Sequence, residues 1–366
     1  MKVLALASYP IQAAATRYRL EQYAGPLAER GIEMTIRPFL DPRLFENLYH
    51  RSALTTNAIG LLASGVRRLK DVVAARAVDV VLVQREAMMF GPPLVEWLIA
   101  RVLACPMVLD LDDATYVSYT SPTYGGIGKA LKWFGKTDDL IRWANIVVCG
   151  NDAIAAYVAN KGARARIVPT IVDTEIFCPG LKDRRNEKLV LGWIGTHSTY
   201  PYLESIFPVI QQLSSDHSIR LKIVGSGRKE ISIPGVEVEN LEWKLEREVK
   251  DFQSFDIGLY PIVSSLYPEE WATGKSGFKA IQYMAVGIPY VASPVGAIKE
   301  IGEAGKTHFC ASTNEEWQTA LLELISDQKK REQMGKAGRS TAVAHYGLAA
   351  QADKLAAALR EAVEGS

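Results

Sequence analysis

The sequence GKSGFKAIQYMAVGIPYVASPVG, residues Gly274–Gly296, contains the alternation of helix and strand from which the fold of this chain is predicted. It contains a glycine-bearing loop, a short apolar helix at about Phe278–Ala285, a tight turn at Gly287 and a buried strand, and a second loop opens at Gly296. Helices and strands that alternate in this way are typical of a parallel sheet covered on both faces.

Short apolar runs continue this alternation on both sides of the stretch. Towards the N-terminus the predicted strands are Lys2–Ala7, Glu33–Pro38, Asp79–Val83, Met107–Leu111, Ile146–Cys149 and Arg166–Val168. Further along the chain they are Leu189–Ile194, Leu221–Val224, Val236–Asn240, Ile257–Tyr260, Tyr290–Ala292 and His308–Cys310. Continuous runs such as VVLV and IVVC indicate strands that are buried on both faces.

Predicted helices lie between these strands, for example Arg17–Arg30 and Pro93–Leu103. Two candidate capping boxes, Ser312–Glu315 and Thr313–Glu316, precede a helix that ends near Ile325. The pattern predicts an α/β fold of doubly wound, Rossmann-like sheets, in which ligands bind beyond the carboxyl ends of the strands.

A polar stretch divides the chain. Residues Pro179–Lys188, PGLKDRRNEK, hold Pro, Gly and several basic residues, so we interpret them as a linker between domains. The predicted domains are 1–180 and 181–345. An amphipathic helix rich in Ala and Leu, at about Leu348–Val363, ends the chain.

Composition narrows the class of protein. A chain of 366 residues favours two domains. Because 42 Lys and Arg nearly balance 41 Asp and Glu, the net charge does not indicate a protein that binds nucleic acid. The apolar run of MKVLALASYP is too short for a signal peptide, and no run approaches the ~20 apolar residues of a membrane span. The cysteines are scattered, as suits reduced thiols, so we expect a cytoplasmic protein. They are Cys105, Cys149, Cys178 and Cys310.

A first candidate site follows the predicted strand Leu189–Ile194. Small and hydroxylated residues at this strand-to-helix turn favour a bound phosphate, because backbone N–H groups and the helix N-terminus attract anions. The residues are Gly195, Thr196, His197 and Ser198. An ordinary loop with a Ser or Thr cap explains the same residues.

Two further loops are candidates for the same ligand. The KIVGSG stretch places Gly225 and Ser226 after a strand, where glycine permits close approach of a ligand. Lys275 and Lys279 are four residues apart, so both ammonium groups would lie on one helix face and suit a diphosphate, unless they are simply solvated. Gln282 and Ser276 belong to the same candidate set.

Acidic and basic residues mark the first half of the chain. Asp110, Asp112 and Asp113 lie where a buried strand ends, and they suit acid–base chemistry, acceptor hydroxyls or a metal, although at least one is expected to cap a helix. Three arginines, each with an equally good surface explanation, would face a cleft and neutralise phosphate. They are Arg17, Arg19 and Arg85.

The stretch Gly274–Gly296 resembles the signature of family 4 glycosyltransferases, which ends in Ala-Met-Ala-x-Gly-x-Pro-Val-Val-Ala. Other segments resemble the bacterial polysaccharide branch of that family in the expected order. They are SYPIQAAATRYRLEQYAGPLAERGIE, VQREAMMFGPPLVE, VLDLDDA, VVCGNDAIAAYV, VPTIVDT and GWIGTHST. The resemblance implies a GT-B fold, with two domains facing across a cleft and the last helix, about 346–366, crossing back to the N-terminal domain.

The resemblance also implies roles. The C-terminal domain would bind a UDP- or GDP-linked sugar, with Gln282 in place of the glutamate that usually holds the ribose and Trp243 near the base, beside Gly225 and Ser226. The usual Arg and Lys clamp falls on Thr196 and Pro201, so Lys275 or Lys279 would supply its charge. The family retains the anomeric configuration and needs no catalytic metal or other cofactor, and Asp112 or Asp113 would stabilise an oxocarbenium-like transition state.

The sequence leaves open both the acceptor of the sugar and the functional class of the protein. The implied acceptor is a glycan, a lipid-linked glycan or a protein. A nucleotide-sugar epimerase of the same fold and a nucleotide-sugar-binding protein without catalysis are alternatives. An NAD-dependent oxidoreductase is disfavoured, because GxGxxG with an acid ~20 residues later is absent.

Peripheral membrane contact is a further hypothesis. Basic and aromatic residues interleave in Gly128–Trp143, where the basic residues include Lys129, Lys132 and Lys136. Leu54–Arg76 adds Arg67, Arg68 and Lys70. Such helices suit an anionic interface, and a solvated face with buried Trp explains them equally well.

Overall fold

The computed structural model describes residues 1–47, 54–118, 131–180, 188–263 and 269–365. Contacts divide the chain into two units. The first comprises Met1–Thr170, Gly274–Ser276 and Leu348–Ser366, and the second comprises Ile171–Thr273 and Gly277–Gly347.

The first unit is built on a parallel six-stranded sheet of order β2-β1-β3-β4-β5-β6. Its strands are β1 Lys2–Ala7, β2 Glu33–Pro38, β3 Val80–Gln84, β4 Met107–Leu111, β5 Ile146–Cys149 and β6 Ala165–Ile167. All residues of β3, β4 and β5 are buried, so the continuous apolar runs correctly predicted strands covered on both faces.

Helices cover this sheet. They are α1 Ala14–Arg19, α2 Ala24–Glu29, α3 Pro42–Asn47, α4 Leu54–Ala74, α5 Leu94–Trp97, α6 Lys136–Trp143 and α7 Asp152–Asn160. A π-helix, Leu98–Val102, prolongs α5. The predicted single helix Arg17–Arg30 is wrong: a 3₁₀ turn at Glu21–Tyr23 separates α1 from α2, because Pro26 cannot donate to the carbonyl four residues earlier.

The last helix, α15 (Leu348–Glu364), packs against β3, β4, β5 and β6 of the first unit. Its buried side chains include Leu355 and Leu359. Glu361 accepts hydrogen bonds from Arg166, and Asp353 accepts one from Arg30. The return of this helix to the N-terminal sheet, implied by the family resemblance, is confirmed.

The second unit is built on another parallel six-stranded sheet, of order β12-β11-β10-β7-β8-β9. Its strands are β7 Leu189–Ile194, β8 Ile219–Val224, β9 Glu237–Leu241, β10 Ile257–Tyr260, β11 Tyr290–Ala292 and β12 Phe309–Cys310. Two doubly wound parallel sheets therefore confirm the predicted fold class.

The helices of the second unit are α8 Tyr200–Glu204, α9 Phe207–Asp216, α10 Glu248–Gln253, α11 Glu269–Thr273, α12 Phe278–Ala285, α13 Asn314–Ser326 and α14 Gln328–Tyr346. Helix α12 has the predicted bounds. Of the two candidate capping boxes, the structure forms the one between Thr313 and Glu316.

The chain enters the second unit at Ile171, whereas the sequence placed this boundary after residue 180. The reason is Arg339 of α14, which donates to the carbonyl oxygens of Thr174 and Phe177, both at 2.8 Å, and so holds this segment in the second unit. Of the predicted linker Pro179–Lys188, residues 181–187 lie outside the described residues.

Candidate active site

Asp110, near the end of β4, is held by Arg19 of α1. Arg19 Nε donates to Asp110 Oδ2 at 3.0 Å, Arg19 Nη2 contacts Oδ1, and Nη1 reaches the Val168 carbonyl oxygen at 2.6 Å. Both side chains are buried. Burial raises the pKa of Asp110, and the neighbouring guanidinium opposes that rise. The pair therefore joins α1, β4 and the end of β6, which argues against a catalytic Asp110 and a cleft-facing Arg19.

Asp112 is held in the same way by Arg85. Arg85 Nε donates to Oδ1 at 2.5 Å and Nη2 donates to Oδ2 at 2.6 Å. Burial alone would raise the pKa of Asp112, but the guanidinium lowers it below its usual range. Arg85 has a φ of 61°, a left-handed conformation that costs a non-glycine residue about 1–3 kcal/mol. This backbone conformation places the side chain of Arg85, which directly follows β3, beside the acids that follow β4.

Asp113 differs from the other two acids, because 27% of its side chain is exposed. Its Oδ2 lies 3.3 Å from Arg85 Nη2 and 3.6 Å from Lys275 Nζ. Burial lowers the pKa of Lys275, and Asp113 counters that effect. Asp113 is thus the one of the three acids that solvent reaches while two cations adjoin it.

Asn151 fixes the backbone beside this cluster. Its Nδ2 donates to the carbonyl oxygen of Lys275 at 3.1 Å, and its Oδ1 caps α7 by accepting from Ile154 N at 2.9 Å. Gly150 is required next to it, since a Cβ there would lie 2.8 Å from the Asp112 carbonyl oxygen. Asn151 was not among the predicted site residues, although a polar residue only two positions beyond β5 was a usable signal.

In the second unit, two loops meet where β7 and β8 end. A Cβ at Gly225, whose φ is +81°, would lie 2.4 Å from the Gly195 carbonyl oxygen. At Gly227 (φ +72°) it would lie 2.9 Å from the Cβ of His197. Only glycine allows these loops such close approach, so Gly195, Gly225 and His197, predicted for one ligand, do lie together.

Hydroxyl groups of the first loop bond to one another. Thr199 Oγ1 accepts from Thr196 N at 3.1 Å, and Thr196 Oγ1 lies 2.9 Å from Ser198 Oγ. The amide of Thr196 is therefore satisfied within the loop, which corrects the expectation that it points at a phosphate. Helix α8 begins directly afterwards at Tyr200.

The loop after β8 is also closed on itself. Ser226 is buried, its Oγ lies 3.1 Å from Asn240 Oδ1, and it accepts from Arg228 N at 3.1 Å. The half-buried Trp243 follows β9, and its Cβ would lie 3.2 Å from a Cβ at Gly225. Of the predicted base-binding residues, Trp243 and Gly225 adjoin, whereas the Ser226 hydroxyl supports the loop.

Lys275 and Lys279 do not share a helix face, so that prediction is wrong. Gly277, with a φ of +65°, precedes α12, which begins only at Phe278. The Lys279 ammonium lies 5.5 Å above the ring of Tyr260, while Lys275 and Ser276 belong with the first unit. Gln282 is buried on α12.

Comparison with known proteins adds to this geometry. No curated protein matches the chain. Residues 188–327 match the family of glycosyl transferases group 1. The matched region holds every glycine contact described for the second unit. This part of the chain is similar to glycosyl transferases of that group.

Solved structures share the two-domain GT-B fold of this chain at low identity. HepE of Anabaena, crystallised with UDP-glucose, has a TM-score of 0.70 at 15% identity, covering 98% of this chain and 99% of HepE. Sucrose-phosphate synthase of Thermosynechococcus elongatus has a TM-score of 0.71 at 14% identity, covering 100% and 99%. A glycosyltransferase of Rickettsia africae has a TM-score of 0.70 at 11% identity, covering 100% and 99%.

Arg17, also predicted for the cleft, turns back on its own loop. Its Nη1 donates to the carbonyl oxygens of Ile11 at 3.2 Å and Gln12 at 3.1 Å. Over the described residues, no group of His, Cys, Asp or Glu has the arrangement of a metal site. The same residues include no helix long and apolar enough to cross a membrane.

The lysines predicted to meet a membrane are used differently. Lys136 Nζ lies 2.6 Å from Glu86 Oε2, and Lys132 contacts the other oxygen of that carboxylate. Lys129 lies outside the described residues. Arg68 of α4, also predicted for the interface, is buried. Glu86, which lies two residues beyond β3, was not among the predicted site residues.

Proposed function

We propose that this chain is a glycosyltransferase that moves a sugar from a UDP- or GDP-linked donor to a glycan, lipid-linked or protein acceptor, with retention of configuration and without a catalytic metal. One observation carries the proposal: Gly195 and Gly225 meet backbone to backbone inside the region that matches the family. Such a glycine-lined strand edge admits a diphosphate against the main chain. The complex of the similarly folded HepE with UDP-glucose supports this donor class.

Charge for the diphosphate would come from lysine. Lys279 would contribute from the first turn of α12, and Lys275 from the loop just before it, since the family's usual clamp residues are replaced by Thr196 and Pro201. Loss of a nucleoside diphosphate from the sugar builds negative charge on the leaving group, and preorganised cations stabilise that charge in the transition state.

Asp113 would act at the sugar. It keeps a partly exposed carboxylate while Asp110 and Asp112 each have both oxygens held by one guanidinium. A carboxylate beside the anomeric carbon stabilises an oxocarbenium-like transition state electrostatically. A lipid-linked acceptor would place the enzyme at the inner face of the cell membrane, in peripheral contact with it.

Thermal unfolding with nucleotides tests the donor site. UDP or GDP at ~100 times its dissociation constant adds about 2.7 kcal/mol to the native state, which raises the melting temperature by several degrees. We expect the shift to survive a chelator and to shrink in Lys279→Ala. Lys306→Ala, which removes an exposed lysine paired with Glu303, is the matched control and should keep the full shift.

Turnover completes the test. NMR of the sugar released from an α-linked UDP-sugar should first show the α anomer. In the thermal unfolding experiment, a melting temperature that rises with NAD but with none of UDP, GDP, ADP or CMP would refute the proposed donor class. Release of the β anomer first would refute retention alone.

A further inference from the structure

Helix α4 carries its apolar side chains on the outside. Ile59, Leu62, Val66, Leu69 and Val73 are exposed, and Leu62 is 73% exposed. Their spacing of three and four residues places them along one side of the helix. We call these five residues the apolar face. Five adjoining exposed aliphatic side chains are unusual on a soluble surface and mark a site of interaction.

The opposite side of α4 is polar and buried. Arg68 is 1% exposed, and it donates to the carbonyl oxygens of Ala7 at 2.6 Å and Ala87 at 2.8 Å and to Asp71 Oδ2 at 2.8 Å. Ser64 is buried on the same side. Turning the helix to hide the apolar face would leave this guanidinium without its partners, which costs several kcal/mol. The contacts of Arg68 therefore hold the apolar face outward.

Neighbouring segments extend the exposed apolar surface. Helix α5 packs against α4, and its Leu94 and Trp97 are exposed. The Gly91 amide, shortly before α5, donates to the Leu131 carbonyl oxygen at 2.9 Å, and Leu131 and Trp133 are exposed as well. Tryptophan is enriched where proteins meet the headgroup region of a bilayer.

The charges beside the apolar face are positive. Lys70 is exposed on α4, and Arg76 is exposed just after it. Arg67 is exposed as well, and its Nη2 donates to the Phe39 carbonyl oxygen at 2.6 Å. The carboxylate within α4, Asp71, is buried and paired with Arg37 and Arg68. A helix with an exposed apolar side, flanking cations and no exposed acid suits a surface of anionic lipid.

We propose that the apolar face of α4 lies in the interface of an anionic membrane, with Lys70 at the level of the headgroups. A second copy of the chain fits less well, because two such faces would bring Lys70 and Arg67 together with no carboxylate from α4 to meet them. This inference does not depend on the nucleotide-sugar proposal, since lipid binding needs no donor.

Vesicle co-sedimentation without nucleotide tests the inference. The full chain should bind phosphatidylcholine vesicles that contain phosphatidylglycerol and should bind pure phosphatidylcholine much more weakly. Val66→Glu should weaken binding at least tenfold, because it places a carboxylate in the apolar face. Val343→Glu on α14 is the matched control, an exposed helical valine of the second unit, and should bind like the wild type. Lys70→Glu should weaken binding about tenfold and flatten its dependence on salt.

Melting temperatures of these variants show whether they fold, and they should be unchanged because the substituted positions are exposed. Equal binding by wild type and Val66→Glu would overturn the inference. So would an absence of vesicle binding together with a dimer that Val66→Glu dissociates in sedimentation velocity, since that result assigns the face to a second copy. A wild-type chain that neither binds vesicles nor forms a dimer would also overturn the inference. A failed nucleotide shift alongside normal vesicle binding would refute only the proposed donor.

Discussion

The two sheets end in different chemistry. In the first unit, side chains meet as buried ion pairs, Arg19 with Asp110 and Arg85 with Asp112. In the second unit, the main chain itself makes the close contacts, with Gly225 against the carbonyl oxygen of Gly195. The first edge is held by paired charges, while the second is held by close main-chain packing that only glycine permits. The contrast indicates that charge in the first unit chiefly holds the ends of its strands together, whereas glycine in the second sets how closely two loops pack.

The largest expected effect separates two acids of one motif. Asp110→Asn leaves the buried Arg19 without a counter-charge, which should cost about 3–5 kcal/mol and lower the melting temperature by several degrees. Asp113→Asn should leave melting nearly unchanged and lower kcat at least tenfold. Thermal unfolding and turnover of both variants check this, and the assignment fails if Asp110→Asn melts like the wild type.

The next effect concerns a group that the second unit buries in its neutral form. His308 lies against the Tyr290 ring, with Nδ1 2.9 Å from Thr307 Oγ1, and burial lowers its pKa from 6.5 to about 4. The unfolded chain therefore binds a proton between pH 6.5 and 4 that the folded chain does not. The contribution of His308 to the free energy of unfolding is therefore fully present above pH 6.5, and it falls by about 3 kcal/mol as the pH drops to 4.

Urea unfolding at a series of pH values measures this loss. His308→Gln, which does not titrate, should flatten the curve over that range. An equally steep curve in the variant would show that other groups cause the acid sensitivity.

The smallest effect compares two glycines of similar backbone conformation. Gly225→Ala and Gly235→Ala both place a side chain at positive φ, at +81° and +76°, which costs about 1–2 kcal/mol each. Only at Gly225 does the new methyl group meet a neighbour, the Gly195 carbonyl oxygen at 2.4 Å. Gly225→Ala should therefore lose more stability and at least tenfold in UDP affinity, by calorimetry, whereas Gly235→Ala keeps its affinity. Equal UDP affinities of the two variants would show that the loop at Gly225 does not contact the nucleotide.

Much of the fold could be predicted because apolar periodicity is local. Helix α12 and strand β11 have the expected bounds, since a glycine turn at Gly287 separates them and both are buried. The prediction of a single helix Arg17–Arg30 was wrong because Pro26 interrupts the helical hydrogen bonds although the apolar pattern continues through it.

The site was less predictable, because its contacts join residues far apart in the chain. Nothing near Asp110 in the sequence indicates that Arg19 neutralises it, so all three acids looked alike. Helix α4 shows a related limit. Its periodicity reveals an apolar and a polar side, but the partners of Arg68, at Ala7 and Ala87, decide which side is buried.

The first unit is assembled from both ends of the chain. Residues Met1–Thr170 supply its sheet, and α15, the last helix, covers β3 to β6 with Leu355 and Leu359. During synthesis, the sheet is made well before the helix leaves the ribosome. That side of the sheet must then stay uncovered while the whole second unit is translated, and exposed apolar surface on a nascent chain invites aggregation. A truncation just before Leu348 would make this transient state permanent.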